Sequence, residues 1–318
     1  MTVRAFIFPG QGSQFVGMGR DLAAAFAPAR EVFEEVDEVL KQKLSKLMFE
    51  GPGEELTLTE NTQPALMAMS LAVLRVIERE GGKSVKGSAA VVAGHSLGEY
   101  SALAAAGAFS VAQTAGLLRL RGRAMQKAVP AGTGAMAALL GADMAKAREI
   151  CAAAAEGPDG TEVIEPANDN GGGQVVISGA RAAVERAVEL ARDAGVKRAM
   201  LLPVSAPFHC ALMAPAAEAM AEALAASPPG RPVVPVVANV SAAPESDPVR
   251  LRELLVQQVT ATVRWAESVQ AMTALGVEAF IELGAGKVLT GLVKRLAPDA
   301  TAQFAGTPAE IEAVLKTL

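Results

Sequence analysis

The feature that most constrains this chain is a serine enclosed by glycines between an apolar run and a predicted helix. Residues 89–93 are apolar, residues 94–98 read GHSLG, and helical composition begins at Leu97. The G-x-S-x-G pattern at a strand-to-helix turn projects the serine hydroxyl into a cleft, with backbone N–H groups of the helix start beside it. A glycine-bounded turn capped by serine is also a common structural feature, so the pattern alone leaves both interpretations open.

Strands alternate with helices along much of the chain, which indicates a largely parallel sheet covered on both faces. An apolar run at residues 5–8 precedes helical periodicity over residues 21–44 and 63–80, and another helix is expected at about Val111–Lys127. Loops are expected at residues 228–230 and 241–248. The sequence predicts an α/β fold: an α/β-hydrolase-like catalytic domain built from residues 1–128 and 204–318.

The intervening residues 129–203 follow a different pattern. Strands are predicted at residues 135–140, 163–168, 174–178 and 198–202, with helices at 143–155 and 180–194. The order βαββαβ is that of a ferredoxin-like unit. We therefore expect a small ferredoxin-like domain inserted into the large one.

Composition excludes several functional classes. A net charge of −5 leaves no excess of basic residues for wholesale nucleic-acid binding. No apolar run is long and uninterrupted enough to predict a membrane span, and residues 1–9 read as a strand and turn rather than a secretory signal. Two cysteines without CxxC spacing predict no disulfide framework, and two histidines without a carboxylate cluster predict no metal site. The expected location is the cytoplasm.

A serine nucleophile needs a base, and the chain has two histidines. His95 adjoins Ser96, where consecutive side chains diverge, so we interpret it as a supporting residue that orients the turn. His209 lies after a predicted strand and before a helix, and it is the better candidate for the base. Asp247 and Glu282 are conceivable acids for a triad, although a backbone carbonyl could orient the imidazole instead.

An arginine on the predicted helix at Val111–Lys127 shares its face with apolar residues. Arg121 lies on one stripe with Leu118 and Met125, whereas Arg119 and Arg123 are expected on a solvent-facing side. A buried guanidinium keeps its charge and needs an anion. The pattern alone favours an internal salt bridge, with Glu99 as the candidate partner, or a stem that reaches water. A substrate carboxylate is the functional alternative.

Seven segments of the chain carry a further signal: residues 8–14 (FPGQGSQ), 61–65 (NTQPA), 94–102 (GHSLGEYSA), 121–122 (RG), 174–179 (QVVISG), 208–213 (FHCALM) and 284–291 (GAGKVLTG). Taken together, they resemble the malonyl-CoA:acyl carrier protein transacylase family, and the likeness runs nearly from end to end. GxSxG alone is a weak signal, whereas seven segments in order are strong evidence.

The resemblance implies roles for the catalytic residues. Ser96 would carry the acyl group and His209 would be the base, so that malonyl passes from malonyl-CoA to the phosphopantetheine thiol of acyl carrier protein. The backbone N–H groups of Gln11 and Leu97 would form the oxyanion hole. Coenzyme A and the carrier arm are substrates, and no metal or redox cofactor is expected. The product would supply fatty acid or polyketide synthesis.

The resemblance also implies a substrate-binding set. Arg121 would hold the malonyl carboxylate, and the backbone carbonyl of Gln258 would orient the histidine. Gln63 lies near the site with a less defined role, and Met125 is included with these residues. Phe208 replaces the serine of many stand-alone enzymes. Its ring would crowd an α-methyl group and favour malonyl over methylmalonyl, by about 1–3 kcal/mol for one methyl.

The carrier protein is typically acidic, so a basic rim is expected near the cleft, with Lys197 and Arg198 as candidates beside the alternative of a solvated charge pair. A monomer is expected. A serine esterase or thioesterase using the same dyad is the main alternative function. A dinucleotide site after the first strand fails because Phe15 holds the third glycine position, and a module that only docks a carrier would not need Ser96, His209 and Arg121 together.

Overall fold

The computed structural model describes residues 2–158 and 160–318. Its strands are β1 (Arg4–Phe8), β2 (Val91–Gly94), β3 (Gly134–Leu140), β4 (Glu156–Gly157), β5 (Gly160–Thr161), β6 (Ile164–Asp169), β7 (Gln174–Ala180), β8 (Arg198–Leu201), β9 (Val236–Val237), β10 (Pro244–Glu245), β11 (Val263–Arg264), β12 (Ala279–Leu283) and β13 (Thr301–Ala305).

Its helices are α1 (Arg20–Ala25), α2 (Ala27–Leu40), α3 (Leu44–Glu50), α4 (Gly53–Thr57), α5 (Thr59–Arg79), α6 (Val85–Ser88), α7 (Gly98–Ala105), α8 (Val111–Lys127), α9 (Met144–Ala155), α10 (Arg181–Asp193), α11 (Ala214–Ala226), α12 (Pro248–Gln258), α13 (Trp265–Ala274), α14 (Val288–Leu296) and α15 (Pro308–Leu315), with a 3-10 turn at Ala211–Met213.

The larger sheet has six strands in the order β10-β9-β2-β1-β12-β13, and all neighbours are parallel except β10 with β9. Both of its faces are buried. Phe6 and Phe8 point into the core on one face, and Ala5 and Ile7 into a separate core on the other. Burial on both faces explains why β1 reads as a continuous apolar run instead of an alternating one.

The carboxyl ends of three strands of this sheet meet at one edge. Phe8 pairs with Gly94, so the loop after β1 and the turn after β2 leave the sheet side by side. On the other side of β2, Ala93 pairs with Val237, which brings the residues after β9 to the same place. Three segments far apart in the sequence therefore converge on the turn that contains Ser96.

The second sheet has the order β11-β6-β7-β3-β8. Its four strands within residues 129–203 pair antiparallel in the order of a ferredoxin-like unit, with α9 and α10 packed on them. The predicted fold class, an α/β-hydrolase-like domain with a ferredoxin-like one inserted, is confirmed. The fifth strand, β11, comes from outside that range and pairs Val263 with Asn168, so the two sheets are tied through the chain after α12.

Two expectations about secondary structure were wrong in detail. The helical periodicity over residues 21–44 is divided among α1, α2 and the start of α3, because Phe26 is extended and Lys41 is left-handed. Pro28 lies in the first turn of α2, where its missing N–H costs nothing, whereas a helix running through it would lose a hydrogen bond. The loop predicted at residues 241–248 contains β10, which pairs with β9.

Helix α8 approaches α5 closely enough to require glycine at one position. A Cβ atom on Gly122 would lie 2.6 Å from the Glu60 Cα atom and 2.7 Å from the Thr59 carbonyl oxygen. Both obstacles are backbone atoms that no rotamer change can move. None of the helices in the described part of the chain is both long and apolar enough to cross a membrane.

We expect Gly122→Ala to lower the free energy of unfolding by about 1–3 kcal/mol, because the added methyl overpacks the α5–α8 contact. Gly116 on the same helix is the matched control, since a Cβ atom there meets nothing within 4 Å. Gly116→Ala should raise stability by about 0.4–1 kcal/mol through a less flexible unfolded chain. Urea unfolding followed by circular dichroism measures both. Equal effects of the two substitutions would contradict the close approach.

Candidate active site

Ser96 lies at a sharp turn between β2 and α7, in a left-handed backbone conformation with a φ of 54°. The turn is possible because the residues two positions before and two positions after Ser96 are Gly94 and Gly98. A Cβ atom on Gly94 would lie 1.9 Å from the Gly98 carbonyl oxygen, and one on Gly98 would lie 2.3 Å from that of Phe8. A non-glycine residue in this conformation costs about 1–3 kcal/mol, which the surrounding structure must supply.

Asn239, two residues after β9, holds the two peptide groups on either side of His95, which lead into this turn. Its Oδ1 atom accepts a hydrogen bond from the Ser96 N–H at 2.8 Å, and its Nδ2 atom donates to the Gly94 carbonyl oxygen at 2.7 Å. The side chain is fully buried, so water does not compete for these bonds. One amide thus stabilises the strained conformation of Ser96.

His209 forms a hydrogen-bonded pair with Ser96. Its Nε2 atom lies 2.7 Å from the serine Oγ atom, and its Nδ1 atom lies 2.8 Å from the backbone carbonyl oxygen of Gln258. Because a carbonyl only accepts, Nδ1 carries the proton and Nε2 is free to accept one from Ser96. Burial, reinforced by the charge of Arg121, lowers the pKa of His209 to about 3, so the imidazole is neutral at physiological pH.

The acids considered as triad members are occupied elsewhere. Asp247 is exposed and caps α12, accepting hydrogen bonds from the N–H groups of Val249 and Arg250. Glu282 is buried and accepts hydrogen bonds from the N–H groups of Leu289 and Thr290 at the start of α14. Neither is hydrogen-bonded to His209, whose partner is the backbone of α12.

Arg121 is 1% exposed and lies directly behind the pair. Its Nη2 atom lies 3.2 Å from the Ser96 Oγ atom and 2.9 Å from the Gln258 Oε1 atom, while Nη1 donates to the Gln63 Oε1 atom at 2.8 Å. The guanidinium carbon lies 5.7 Å from the centre of the Tyr100 ring. Among the described residues Arg121 has no ion pair within 4.0 Å, and its stem does not reach water, so neither structural alternative from the sequence holds.

Arg119 and Arg123 do not share a solvent-facing side, contrary to expectation. Arg123 is exposed and donates to Glu60 at 2.6 Å, whereas Arg119 is 9% exposed and lies between Glu60 and Gln42. The cause is tertiary: α2 and α5 both pack on α8 and cover Arg119. A helical stripe identifies neighbours on one helix, but it does not say how wide a face the next helices cover.

Two backbone N–H groups beside Ser96 are free to receive a ligand. Within the described residues, neither the N–H of Gln11 nor that of Leu97 has a hydrogen-bond acceptor. Gln11 is carried by the loop after β1, where a Cβ atom on Gly10 would lie 2.7 Å from the His95 carbonyl oxygen. This contact brings the Gln11 loop against the serine turn.

The serine opens into a cavity of about 460 Å³ between the two sheets. The large domain and the segment after β8 both contribute to its wall, and so do β3 and β6 of the small domain. The predicted site residues on this wall are Gln11, Gln63, His95, Ser96, Leu97, Arg121, Met125, Phe208 and His209. Gln258 is fully buried behind His209 and Arg121, and it does not line the cavity.

Histidine and cysteine neighbours of the pair have separate partners. The Nε2 atom of His95 lies 2.9 Å from the Asn170 Oδ1 atom, which links the serine turn to the small domain. The thiol of Cys210 is buried and donates to the Pro207 carbonyl oxygen at 3.2 Å, and burial raises its pKa to about 11. No group of three or more His, Cys, Asp or Glu side chains in residues 2–158 and 160–318 is arranged to hold a metal ion.

Lys197 and Arg198 are exposed on the small domain. Arg198 begins the edge strand β8, and Leu202 at the other end lines the cavity. Leu202 is four positions further along the chain than Arg198, about 13 Å at the rise of a β-strand. The two basic side chains are therefore outside the cavity, at the far end of the strand that leads into it.

The comparison with known proteins is unambiguous at the level of the family. The model of the acyl transferase domain family matches residues 5–307, nearly the whole chain. The chain belongs to the acyl transferase family. Among curated proteins it is 48% identical to the malonyl CoA-acyl carrier protein transacylase of Escherichia coli K12 over 99% of this chain and 100% of that one. For the transacylase of Bacillus subtilis the identity is 46%, with coverage of 100% and 98%.

Solved structures of related acyl transferases agree closely with the fold. An acyl-carrier-protein S-malonyltransferase from Bartonella henselae is 57% identical to this chain. The alignment covers 99% of both chains, and the two structures superpose with a TM-score of 0.96. A malonyl-transacylase in complex with the holo acyl carrier protein of a type II polyketide synthase is 44% identical, with full coverage of both chains and a TM-score of 0.95.

Asn239 was missed by the sequence reasoning, and Glu99 was considered only as a salt-bridge partner. Asn239 follows a strand of two residues, too short for a periodicity signal. Its position at a strand end next to an apolar pair was the only local indication. Glu99 lies on a short helix that is buried on all sides, where an acidic residue has no amphipathic pattern to interrupt.

We expect Asn239→Ala to lower the free energy of unfolding by about 1–3 kcal/mol, because two buried peptide groups lose their partners. Labelling of Ser96 by a serine-directed fluorophosphonate should slow by about tenfold, since the turn is no longer held. Asn61→Ala is the control: the Asn61 amide also makes two hydrogen bonds, to Gln42 and Glu55, away from the serine turn. That variant should lose stability and keep its labelling rate; unchanged labelling of Asn239→Ala would refute the role.

Proposed function

We propose that the protein transfers a malonyl group from malonyl-CoA to the phosphopantetheine thiol of acyl carrier protein through an ester on Ser96. The observation that carries this proposal is the guanidinium of Arg121, 3.2 Å from the Ser96 hydroxyl oxygen on the wall of the same cavity. A nucleophile beside a fixed cation suits an acyl group that ends in a second carboxylate. The transacylase names of the relatives support the same reaction.

In the first half-reaction, His209 accepts the Ser96 proton on Nε2 while the serine oxygen attacks the thioester carbonyl. The free N–H groups of Gln11 and Leu97 stabilise the oxyanion that develops. The tetrahedral intermediate collapses as the carbon–sulfur bond breaks, and His209 returns the proton to the departing sulfur. Coenzyme A leaves as a thiol and Ser96 holds the malonyl ester.

In the second half-reaction, the carrier's pantetheine thiol occupies the position that coenzyme A has left. His209 accepts the thiol proton, and the sulfur attacks the Ser96 ester carbonyl. The same two N–H groups bind the oxyanion, and the proton returns to the serine oxygen as the ester bond breaks. The cycle uses only side chains, backbone donors and the two thioesters, so it calls on no metal or redox cofactor.

Arg121 selects the acyl group. Its guanidinium is held by Gln63 and Gln258, two neutral amides, so a net positive charge remains for the substrate carboxylate. Binding at that point fixes the thioester carbonyl relative to Ser96. Met125, whose sulfur lies 3.7 Å from the Gln63 Nε2 atom, packs beside this clamp. Phe208 lines the same cavity, where its ring would crowd an α-methyl group of the substrate.

Transfer is favoured over hydrolysis, the alternative that the sequence left open, because a carboxylate clamp has no use in a plain esterase and the relatives are named transacylases. The carrier would dock where β8 leads into the cavity, with Lys197 and Arg198 attracting its acidic surface. Both side chains are exposed, in keeping with that role. We further propose that the protein acts as a monomer in the cytoplasm.

Intact-protein mass spectrometry after incubation with malonyl-CoA tests the acyl-enzyme. Wild type should gain the mass of one malonyl group, and holo acyl carrier protein should then remove it. Ser96→Ala should gain none, because the oxygen that forms the ester is absent. Ser101→Ala on the following helix is a control that should remain acylated. Loss of the malonyl group to water at the same rate with and without the carrier would contradict a transferase.

Arg121→Ala should reduce the rate of malonyl transfer relative to acetyl transfer by about 10- to 100-fold, the value of a hydrogen-bonded charge partner. Using the ratio within each variant removes the effect of any loss of folded protein. Arg123→Ala, on the same helix but exposed and paired with Glu60, should leave the ratio unchanged. Equal losses of both activities in Arg121→Ala would eliminate the clamp.

A further inference from the structure

Glu99, on the first turn of α7, is fully buried and lies next to Asn239 and Gln258. Its Oε2 atom accepts hydrogen bonds from the Gln258 Nε2 atom at 2.8 Å and from the Asn239 N–H at 2.9 Å. Its Oε1 atom has no hydrogen-bond partner among the described residues. A buried carboxyl group is costly and requires an explanation in the residues around it.

Gln258 connects this carboxyl group to the base and to the clamp. Its side-chain oxygen faces Arg121, which can only donate, so its amide nitrogen must face Glu99. The nitrogen also lies 3.0 Å from the Ser96 carbonyl oxygen, and the backbone carbonyl of the same residue holds His209. The Arg121 guanidinium, the Gln258 amide and the Glu99 carboxyl group are therefore hydrogen-bonded in series. The His209 imidazole is hydrogen-bonded to the backbone of the same Gln258.

The proposed reaction creates a second buried cation at this point. When His209 accepts the Ser96 proton, an imidazolium forms beside Arg121, in an interior that opposes both charges. The groups that face the network are Arg121 on α8, Tyr100 on α7, and His95 near His209, and none of them is an anion at neutral pH. Among the described residues the only other fully buried acid is Glu282, which caps α14.

We propose that Glu99 is the positioning residue that takes the place of the missing triad acid, one amide removed from the histidine. Through Gln258, Glu99 fixes the positions of His209 and Arg121 relative to each other. Its negative charge offsets the charge of the imidazolium that forms during each half-reaction. This inference rests on the proposed acyl transfer. It assigns Glu99 no contact with the substrate.

The charge of Glu99 should then affect how the rate of Ser96 acylation depends on pH. Burial, offset in part by its hydrogen bonds to Asn239 and Gln258, raises the pKa of Glu99 to about 7, whereas that of His209 is about 3. Above pH 7 the carboxylate is charged and favours the imidazolium. Below pH 7 it is protonated and that stabilisation is lost, while the base itself stays neutral and competent. Acylation of Ser96 should therefore slow as the pH falls through 7.

The test compares wild type with Glu99→Gln, which keeps the shape and the acceptor oxygen but has no charge. The rate of Ser96 acylation by malonyl-CoA is followed by rapid quench and intact mass over about pH 5.5 to 8.5. We expect Glu99→Gln to be about 10- to 100-fold slower than wild type at the alkaline end and within about threefold at the acid end. In a plot of acylation rate against pH, the variant should not show the decrease that wild type shows as the pH falls through 7.

Glu282→Gln is the matched control, because Glu282 is also buried with a raised pKa but contacts no residue of the site. It should keep the wild-type pH profile whatever its effect on stability. A constant ratio of Glu99→Gln to wild type across the pH range, or equal rates at all pH values, overturns the inference. A wild-type acylation rate that does not change with pH also overturns the inference. That measurement does not depend on the folding of any variant. Failure of the acyl-transfer proposal looks different: no malonyl adduct forms on wild type at any pH.

Discussion

The parallel pairing of β1, β2 and β9 is the constraint on which the site depends. Because parallel neighbours end at the same edge of a sheet, Gln11, Ser96 and Asn239 are brought together although more than two hundred residues separate the first from the last. The pairing also explains the glycines. Two backbone segments approach at the serine turn to distances that exclude any Cβ atom, so the exposed hydroxyl and the free N–H groups arise from the same close packing.

A continuous polar network occupies the interior behind the serine. Gln258 is its centre, since its backbone holds His209 and its side chain lies between Arg121 and Glu99. Because Arg121 can only donate, the Gln258 side-chain amide has a single orientation. The tautomer of His209 is fixed separately, by the backbone carbonyl of Gln258, which can only accept. The arrangement gives a serine–histidine pair without an acid in direct contact, and the guanidinium of Arg121 beside Ser96 is hydrogen-bonded to neutral amides.

The small domain completes the cavity instead of simply extending the fold. Met136 and Asn168 line the cavity from its sheet, and Asn170 is hydrogen-bonded to His95 in the serine turn. Strand β11 begins five residues after Gln258 and joins that sheet through Val263. His209, the serine turn and the inserted domain are therefore connected through short stretches of chain, and residues of both domains line the cavity.

Local patterns in the sequence determined the strand–turn–helix at Ser96, the βαββαβ order of the insertion and the helix that carries Arg121, because periodicity and glycine spacing are properties of neighbouring residues. Which polar residues meet was decided only by the tertiary structure. Arg119 is buried where α2 and α5 pack on α8, and Asn239 and Glu99 make their hydrogen bonds to residues that are distant in the sequence. Burial and hydrogen-bond partners depend on the whole fold, whereas the turn at Ser96 is specified by five consecutive residues, 94–98.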